Sequence, residues 1–228
     1  MRRVDSFSAI LSEHLAFSGG CCVDVGCGTG ELARWLAGRG ARVVGIERPA
    51  MAALARQKPA VGAERYVAGG GERLPVRSGW ADAVLFLASL HHVPPPSMRE
   101  ALAECRRVLR PGGTAIVVEP VAEPGSYYEV TRLADEEADL RRLAEEALQA
   151  VEEIGMAPIA RELFYVERSF DDYTQLVSVA VEEDGRRGVV LAQAREVTTR
   201  MAAAAGVPFD DFRFRSVCRL DVLTRLAV

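Results

Sequence analysis

The 228-residue chain carries 28 basic and 32 acidic side chains, a formal net charge of −4, and no sustained basic run, which argues against a nucleic-acid partner. No apolar stretch reaches the length of a membrane span and the five cysteines form no C-x-x-C pair, so we expect a cytoplasmic protein without a membrane segment or a metal site. The length suits one well-buried core, and we expect a single domain over residues 1–228.

The N-terminal part predicts a helix, a strand and a second helix. Apolar residues at helical spacing predict an N-terminal helix within residues 1–18. The short apolar run Cys21–Val25 predicts a buried strand, and helical spacing resumes over residues 30–39.

Strands and helices then alternate as far as residue 119. Strands are predicted near residues 42–46, 64–68, 82–87 and 113–119, and helices near residues 49–57 and 97–109. Such alternation favours a parallel sheet that is covered by helices on both faces.

The C-terminal half predicts two more strands and several helices. In chain order these are residues 131–154 (a helix ended by Gly155), 159–168 (a strand), 170–181 and 187–205 (helices) and 211–223 (a strand). The two helices between the strands form an insertion over residues 169–206, which is longer than a hairpin connection needs.

The segment Val23–Gly30 places glycines where the first buried strand meets the next helix. Gly26 and Gly28 can adopt left-handed backbone conformations and let a ligand approach the main chain, while the free N–H groups at the helix start face that ligand. A phosphate, a carboxylate or a ribose could use such a corner.

Two acidic residues favour one kind of adenosine cofactor over another. Glu47 ends the second strand 21 residues after Gly26, close to the offset of about 20 residues at which a doubly wound fold places an acid on a ribose diol. A dinucleotide enzyme would show G-x-G-x-x-G, whereas this chain has glycines at 26, 28 and 30, preceded by Asp24. An acid at that point repels a pyrophosphate and suits a ligand that carries an ammonium and a sulfonium.

Several segments in this order resemble the motifs of one family. They are Val23–Leu32, Val43–Glu47, Glu72–Pro75, Trp80–Leu87, Leu90–Val93 and Glu104–Val118. Over roughly residues 19–120 the chain resembles the class I S-adenosylmethionine-dependent methyltransferases, in their small-molecule, type 11-like branch.

The resemblance implies a fold and a reaction. The fold is α/β, with a Rossmann-like seven-stranded mixed sheet in the order 3-2-1-4-5-7-6, strand 7 antiparallel, helices on both faces and a helical insertion between strands 6 and 7. The reaction is in-line transfer of a methyl group from S-adenosyl-L-methionine to a small-molecule acceptor, leaving S-adenosyl-L-homocysteine. The resemblance implies that the helices of the insertion over residues 169–206 cover the acceptor. The alternative is that these helices are a solvent-exposed addition without a role in acceptor binding.

The resemblance also indicates which residues bind the cofactor. They are Asp24, Gly26, Cys27, Gly28, Thr29, Gly30, Glu47, Arg48, Gly71, Glu72 and Leu87. One position departs from the family pattern, because Gly70 stands where relatives carry an aspartate that binds the adenine amino group. We therefore expect weaker cofactor binding unless Glu72 or main-chain groups replace that aspartate.

The candidate catalytic residues are His91 and His92, which follow the fourth strand at the edge where open sheets bind ligands. Imidazole accepts protons near neutral pH, although either side chain could instead cap the following loop. Candidate acceptor-pocket residues are Glu119, Tyr127, Tyr128, Phe164, Tyr165, Phe170 and Tyr173.

Three other functions stay open on the sequence alone. The first alternative is a protein that binds S-adenosylmethionine without catalysing methyl transfer, and it is suggested by Gly70, which replaces the adenine-binding aspartate of relatives. A nicotinamide-dependent oxidoreductase would also use the glycine corner and Glu47. The third alternative is a methyltransferase that acts on a protein rather than on a small molecule. The sequence also leaves the oligomeric state open.

Overall fold

The computed structural model describes residues 1–15, 19–121, 126–130, 137–183 and 213–226, together with positions 195, 199 and 203. The chain divides into two compact units. Unit 1 comprises Met1–Phe7, Pro120–Asp139 and Leu163–Arg219, and unit 2 comprises Ser8–Glu119, Leu140–Glu162 and Leu220–Val228. The expected single domain stays a prediction.

The elements alternate along the chain as the sequence predicts. The strands are β1 (Arg2–Val4), β2 (Cys21–Val25), β3 (Arg42–Glu47), β4 (Ala63–Ala68), β5 (Ala81–Leu87), β6 (Leu109–Pro120), β7 (Met156–Ser169) and β8 (Arg213–Arg225). The helices are α1 (Phe7–His14), α2 (Glu31–Ala37), α3 (Pro49–Gln57), α4 (Met98–Val108), α5 (Tyr127–Val130), α6 (Ala138–Gln149) and α7 (Tyr173–Glu183). Short 3-10 turns span Leu90–His92, Pro95–Ser97 and Val151–Ile154. Within the described residues, no helix combines the length and apolarity needed to span a bilayer.

One sheet contains the strands in the order β1-β7-β8-β6-β5-β2-β3-β4. Counted from β2, this order is the predicted 3-2-1-4-5-7-6, which is confirmed. Neighbours from β4 to β6 pair in parallel. By contrast, Thr224 is bonded to Gly113 and Val121 to Val217, so β8 runs antiparallel to β6.

The sheet has eight strands, so the predicted count of seven was wrong by one. The additional strand is β1, which pairs in parallel with Phe164–Val166 of β7. It lies within the segment that was expected to belong to an N-terminal helix, and the helix itself covers only Phe7–His14. A three-residue edge strand is too short to show an alternating pattern, so periodicity does not reveal it.

The remaining differences concern the C-terminal half. The helix predicted over residues 131–154 is α6 followed by a 3-10 turn, and Gly155 ends that turn in a left-handed conformation with φ 76°. Tyr127 and Tyr128 begin the short helix α5. Most of the helix predicted over residues 187–205 lies outside the described residues, and so does the start of the strand predicted over 211–223.

The central strand β2 places the glycine corner at the carboxyl edge of the sheet. It lies between β3 and β5, pairs in parallel with both, and is buried along its whole length. A strand covered on both faces is normally a continuous apolar run, and Asp24 is the exception in this one. The carboxyl ends of β2, β3 and β5 therefore meet beside a buried carboxylate.

Helix α4 covers this sheet with a continuous apolar stripe. Its buried residues recur at helical spacing and are Met98, Ala101, Leu102, Cys105 and Val108. They belong to a core cluster that also contains Val23 and Val25 of β2.

Replacing Leu102 by alanine should destabilise the fold, because Leu102 has 0% exposed surface and its removal leaves a cavity in the core. We expect the free energy of unfolding in urea to fall by about 2 to 5 kcal/mol. The matched control is Leu54→Ala on α3, where the side chain is 45% exposed and the expected change is below about 0.5 kcal/mol. Equal effects of the two substitutions would contradict this assignment of the core.

Candidate active site

The glycine corner is held by main-chain bonds to the neighbouring strand. Gly26 and Gly28 adopt left-handed conformations with φ 73° and 52°. The N–H groups of Gly26 and Cys27 both donate to the carbonyl of Ile46, at 2.8 and 3.2 Å. The turn after β2 is therefore fixed to the end of β3.

Gly26 and Gly28 are needed for different reasons. A Cβ atom at Gly26 would lie 2.5 Å from Cβ of Ser89, whose hydroxyl donates to the carbonyl of Val25 at 2.6 Å. A Cβ atom at Gly28 would have no neighbouring atom within 4 Å. Gly26 thus allows the ends of β2 and β5 to touch, whereas Gly28 lies on the open side of the turn.

Asp24 is a buried carboxylate at the base of this corner. Its side chain is 1% exposed and accepts a hydrogen bond from the backbone N–H of Ala33, in the first turn of α2. Its other oxygen, Oδ2, is buried and has no hydrogen-bond partner in the described structure. Burial, together with the nearby charge of Glu47, raises the pKa of Asp24 from 3.8 to about 7.

Glu47 ties the glycine turn to the end of β3. Its two carboxylate oxygens accept the backbone N–H groups of Gly28, at 3.1 Å, and of Arg48, at 2.7 Å. Each oxygen retains a further lone pair with which it can accept a hydroxyl hydrogen. The Arg48 side chain is 85% exposed, and its Nε atom lies 3.7 Å from Oε1 of Glu47.

A network that the sequence did not predict braces the far end of the turn. The guanidinium of Arg34 donates to the carbonyl of Thr29 at 3.0 Å, and Lys58 donates to the Thr29 hydroxyl at 3.1 Å. The hydroxyl of Tyr66 donates to the carbonyl of Gly30 at 3.2 Å. A Cβ atom at Gly30 would lie 2.5 Å from the Tyr66 ring, so glycine is required there.

Cys27 faces the sheet rather than the open side of the turn. It is buried, and its sulfur lies 2.9 Å from where a Cβ atom at Gly45 would be. Burial and the nearby carboxylates of Asp24 and Glu47 raise the pKa of the thiol to about 12. The side chain is therefore a neutral packing group, and only the main chain of Cys27 is suited to ligand contact.

The segment Gly70–Glu72 follows β4 at the carboxyl edge of the sheet. The carboxylate oxygens of Glu72 lie within 2.5 Å of where a Cβ atom at Gly70 would be. A Cβ atom at Gly71 would meet the methyl groups of Val93 and Val25 at 3.2 and 3.5 Å, so that residue packs against the core. An acidic group is thus present over Gly70, although residue 70 has no side chain.

Ala88 marks the end of β5. It follows Leu87, which is half-buried, and its φ of 50° lies in the left-handed region that favours glycine. Its N–H donates to the carbonyl of Val118 at 2.7 Å. Backbone strain of this kind persists where surrounding contacts hold it, and it frequently accompanies functional sites.

The two candidate histidines differ in environment. His91 is 2% exposed, and its Nδ1 is bonded to one carboxylate oxygen of Glu119, which is 1% exposed. The other Glu119 oxygen accepts the N–H of Leu90 at 2.9 Å. His92 is exposed, with its ring centre 4.0 Å from that of His91. Glu119 therefore holds His91 inside the protein, while His92 remains accessible.

The other candidate acceptor-pocket residues include an aromatic cluster in unit 1. The ring of Tyr127 lies 5.4 Å from Tyr128, 6.0 Å from Phe170 and 6.2 Å from Phe214. Tyr127 has 0% exposed surface. Within unit 1 these rings form a packed core, and their expected role in the acceptor pocket stays a prediction.

The comparisons with known proteins agree with this geometry. Residues 23–117 match the family described as Methyltransferase domain. This segment is therefore a methyltransferase domain. The similarity of fold extends beyond this segment, since the YcgJ protein from Bacillus subtilis superposes with a TM-score of 0.67 over 97% of this chain and 98% of its own, at 17% identity.

The methyltransferase domain is also similar to curated proteins. An uncharacterized methyltransferase of Synechocystis, sll0829, is 36% identical over 116 residues, which cover 50% of this chain and 54% of that protein. A ubiquinone biosynthesis O-methyltransferase of Dechloromonas aromatica is 30% identical over 128 residues, 51% of each protein. The chain thus spans about half the length of these relatives.

Replacing Gly26 by alanine should destabilise this methyltransferase domain, because the new Cβ atom would meet Ser89 and the backbone conformation is left-handed. We expect the free energy of unfolding to fall by at least about 2 kcal/mol, against about 1 kcal/mol for Gly28→Ala, which has open space. Ser89→Gly should recover part of the loss in a double-mutant cycle. Equal losses of unfolding free energy for Gly26→Ala and Gly28→Ala, with no coupling between Gly26 and Ser89 in the cycle, would contradict the contact between Gly26 and Ser89.

The raised pKa of Asp24 predicts a pH dependence of stability. Between about pH 4 and pH 7 the folded protein retains a proton that the unfolded chain has released, so this contribution to stability is lost as the pH rises through that window. Asp24→Asn should flatten the curve of unfolding free energy against pH, whereas Glu100→Gln, on the exposed side of α4, should not. A curve for Asp24→Asn that parallels the wild type would show that Asp24 titrates normally.

Proposed function

We propose that the chain binds S-adenosylmethionine at the glycine corner and transfers its methyl group to a small-molecule acceptor. The observation that carries this proposal is the buried Oδ2 atom of Asp24, which has no hydrogen-bond partner in the described structure. A buried charged oxygen without a partner is costly, and a ligand ammonium would satisfy it. The amino group of S-adenosylmethionine supplies such an ammonium.

The surrounding groups fit the rest of the cofactor. Gly28 lies on the open side of the turn, so a ligand can approach the main chain there. Glu47 retains acceptor capacity for a ribose diol while its carboxylate is held in place by two N–H groups. These contacts preorganise the corner before any ligand arrives, which reduces the ordering cost of binding.

Glu72 is the residue that we assign to the adenine end. Its carboxylate lies over Gly70, so an acidic acceptor occupies the space that a side chain at residue 70 would fill. A charge-assisted hydrogen bond to the adenine amino group contributes about 1.5 to 3 kcal/mol in comparable settings. Glu72 would thereby compensate for the absent aspartate.

The chemistry requires alignment more than covalent participation by the protein. S-adenosylmethionine, when bound, supplies an electrophilic methyl group on a sulfonium. The task of the chain is to hold the acceptor in line with that group, and such positioning can account for roughly 7 to 11 kcal/mol of barrier reduction. The braced turn from Gly26 to Gly30 provides a fixed frame for it.

Proton removal from the acceptor is assigned to His92 rather than to His91. His91 is buried and bonded to Glu119, so its Nδ1 is committed. His92 is exposed at the same edge and can accept a proton when the acceptor is a phenol or an ammonium. Because one of the two curated relatives described above is an O-methyltransferase, hydroxyl-bearing acceptors are the first class to test.

Calorimetry with S-adenosylhomocysteine tests the proposal without knowledge of the acceptor. Affinity should rise as the pH is raised from 5.5 to 7.5, because the ligand ammonium selects the ionised form of Asp24. Asp24→Asn should weaken binding at least about tenfold and remove this pH dependence. Binding to the wild type should also release a proton, which titrations in two buffers of different ionisation enthalpy would reveal.

The matched control for this titration is Glu100→Gln, which removes an exposed carboxylate and should leave both affinity and pH dependence unchanged. Wild-type affinity in Asp24→Asn would contradict the role of Asp24. No binding of S-adenosylhomocysteine at millimolar concentration would overturn the proposed function, and binding without turnover on hydroxyl, amine and thiol acceptors would favour a non-catalytic role.

A further inference from the structure

A cavity lies away from the glycine corner, beside the edge strand β4. It has a volume of about 220 Å³ and is lined by Arg65, Pro75, Val76, Arg77 and Trp80. Trp80 directly precedes the first residue of β5, whereas the glycine corner adjoins the last residue of that strand. The cavity is therefore separate from the proposed cofactor site.

Two guanidinium groups share this small space. In the described part of the chain, neither Arg65 nor Arg77 forms an ion pair or a hydrogen bond through its side chain. Like charges that converge on one cavity repel each other, and an anion between them would relieve that repulsion. A cavity of this kind is suited to a negatively charged ligand.

The carboxylates of the neighbouring elements are already engaged. Glu64 accepts the N–H groups of Val61 and Gly62 at 2.7 and 2.9 Å. Asp82 is paired with Arg110 at 2.7 Å. None of these interactions involves a residue that lines the cavity.

Glu104 is engaged in the same way, and its partner fixes the loop that presents Arg77. Arg107 is bonded to Glu104 at 2.6 Å and donates to the carbonyls of Leu74 and Val76 at 3.0 and 2.9 Å. Val76 is buried, while Arg77 beside it is exposed. The loop therefore holds Arg77 on the cavity side without using its charge.

We propose that this cavity binds a small phosphate monoester that carries a planar ring. A phosphate bears close to two negative charges at neutral pH and matches two guanidinium groups, each of which can donate in a planar fork. Trp80 and Pro75 provide an apolar wall against which a ring can pack. The site is independent of methyl transfer and is not part of the cofactor corner.

Fluorescence of Trp80 provides a direct test. The chain has two tryptophans, so Trp35→Phe leaves Trp80 as the single reporter. Titration with phenyl phosphate should change the emission and saturate, inorganic phosphate should bind more weakly, and phenol should not bind. Arg65→Gln and Arg77→Gln should each weaken phenyl phosphate binding about tenfold, since each removes a charge-assisted contact.

The matched control is Arg142→Gln, which removes an exposed arginine that is paired with Glu146 on α6. It should leave the affinity for phenyl phosphate unchanged, and circular dichroism should show that all variants are folded. Saturating S-adenosylhomocysteine should not displace the probe. Displacement by that ligand, equal binding of phenol, or wild-type affinity in both arginine variants would overturn the proposal.

Discussion

The carboxylate of Asp24, buried between β2 and the first turn of α2, is the constraint around which the corner is arranged. It accepts the N–H of Ala33, and its second oxygen has no partner in the described structure. Burying a carboxylate in the central strand is unfavourable, as the raised pKa of Asp24 shows. The fold therefore places at this point an acid whose ionised form a cationic ligand group would stabilise, which links the construction of the sheet with the proposed function.

The contacts around Asp24 hold the ligand-facing main chain in one conformation. Ser89, in the loop that follows β5, packs against Gly26, Glu47 of β3 accepts the N–H of Gly28, and Tyr66 of β4 donates to the carbonyl of Gly30. Two strands and the loop after a third thus contact one turn of five residues. A turn fixed from several sides presents its N–H groups with little freedom, which is the condition under which positioning accelerates a reaction.

Local sequence signals predicted the glycine corner, and the family resemblance implied the order of the strands in the sheet. The glycines, Asp24 and Glu47 are close in sequence, and each implies its conformation or charge directly. The supporting contacts were not predictable in this way, because Ser89 bonds to Val25 across 64 residues and His91 to Glu119 across 28. Only the folded sheet brings such pairs together, and the three residues of β1 carry no pattern that would distinguish them from a loop or a helix start.

The most direct test of the account is a crystal structure of the protein with S-adenosylhomocysteine. The ligand amino group should lie within hydrogen-bond distance of Oδ2 of Asp24, with the ribose hydroxyls at Glu47 and the adenine beside Glu72. A ligand that binds elsewhere, or that turns its carboxylate toward Asp24, would contradict the proposed role of Asp24.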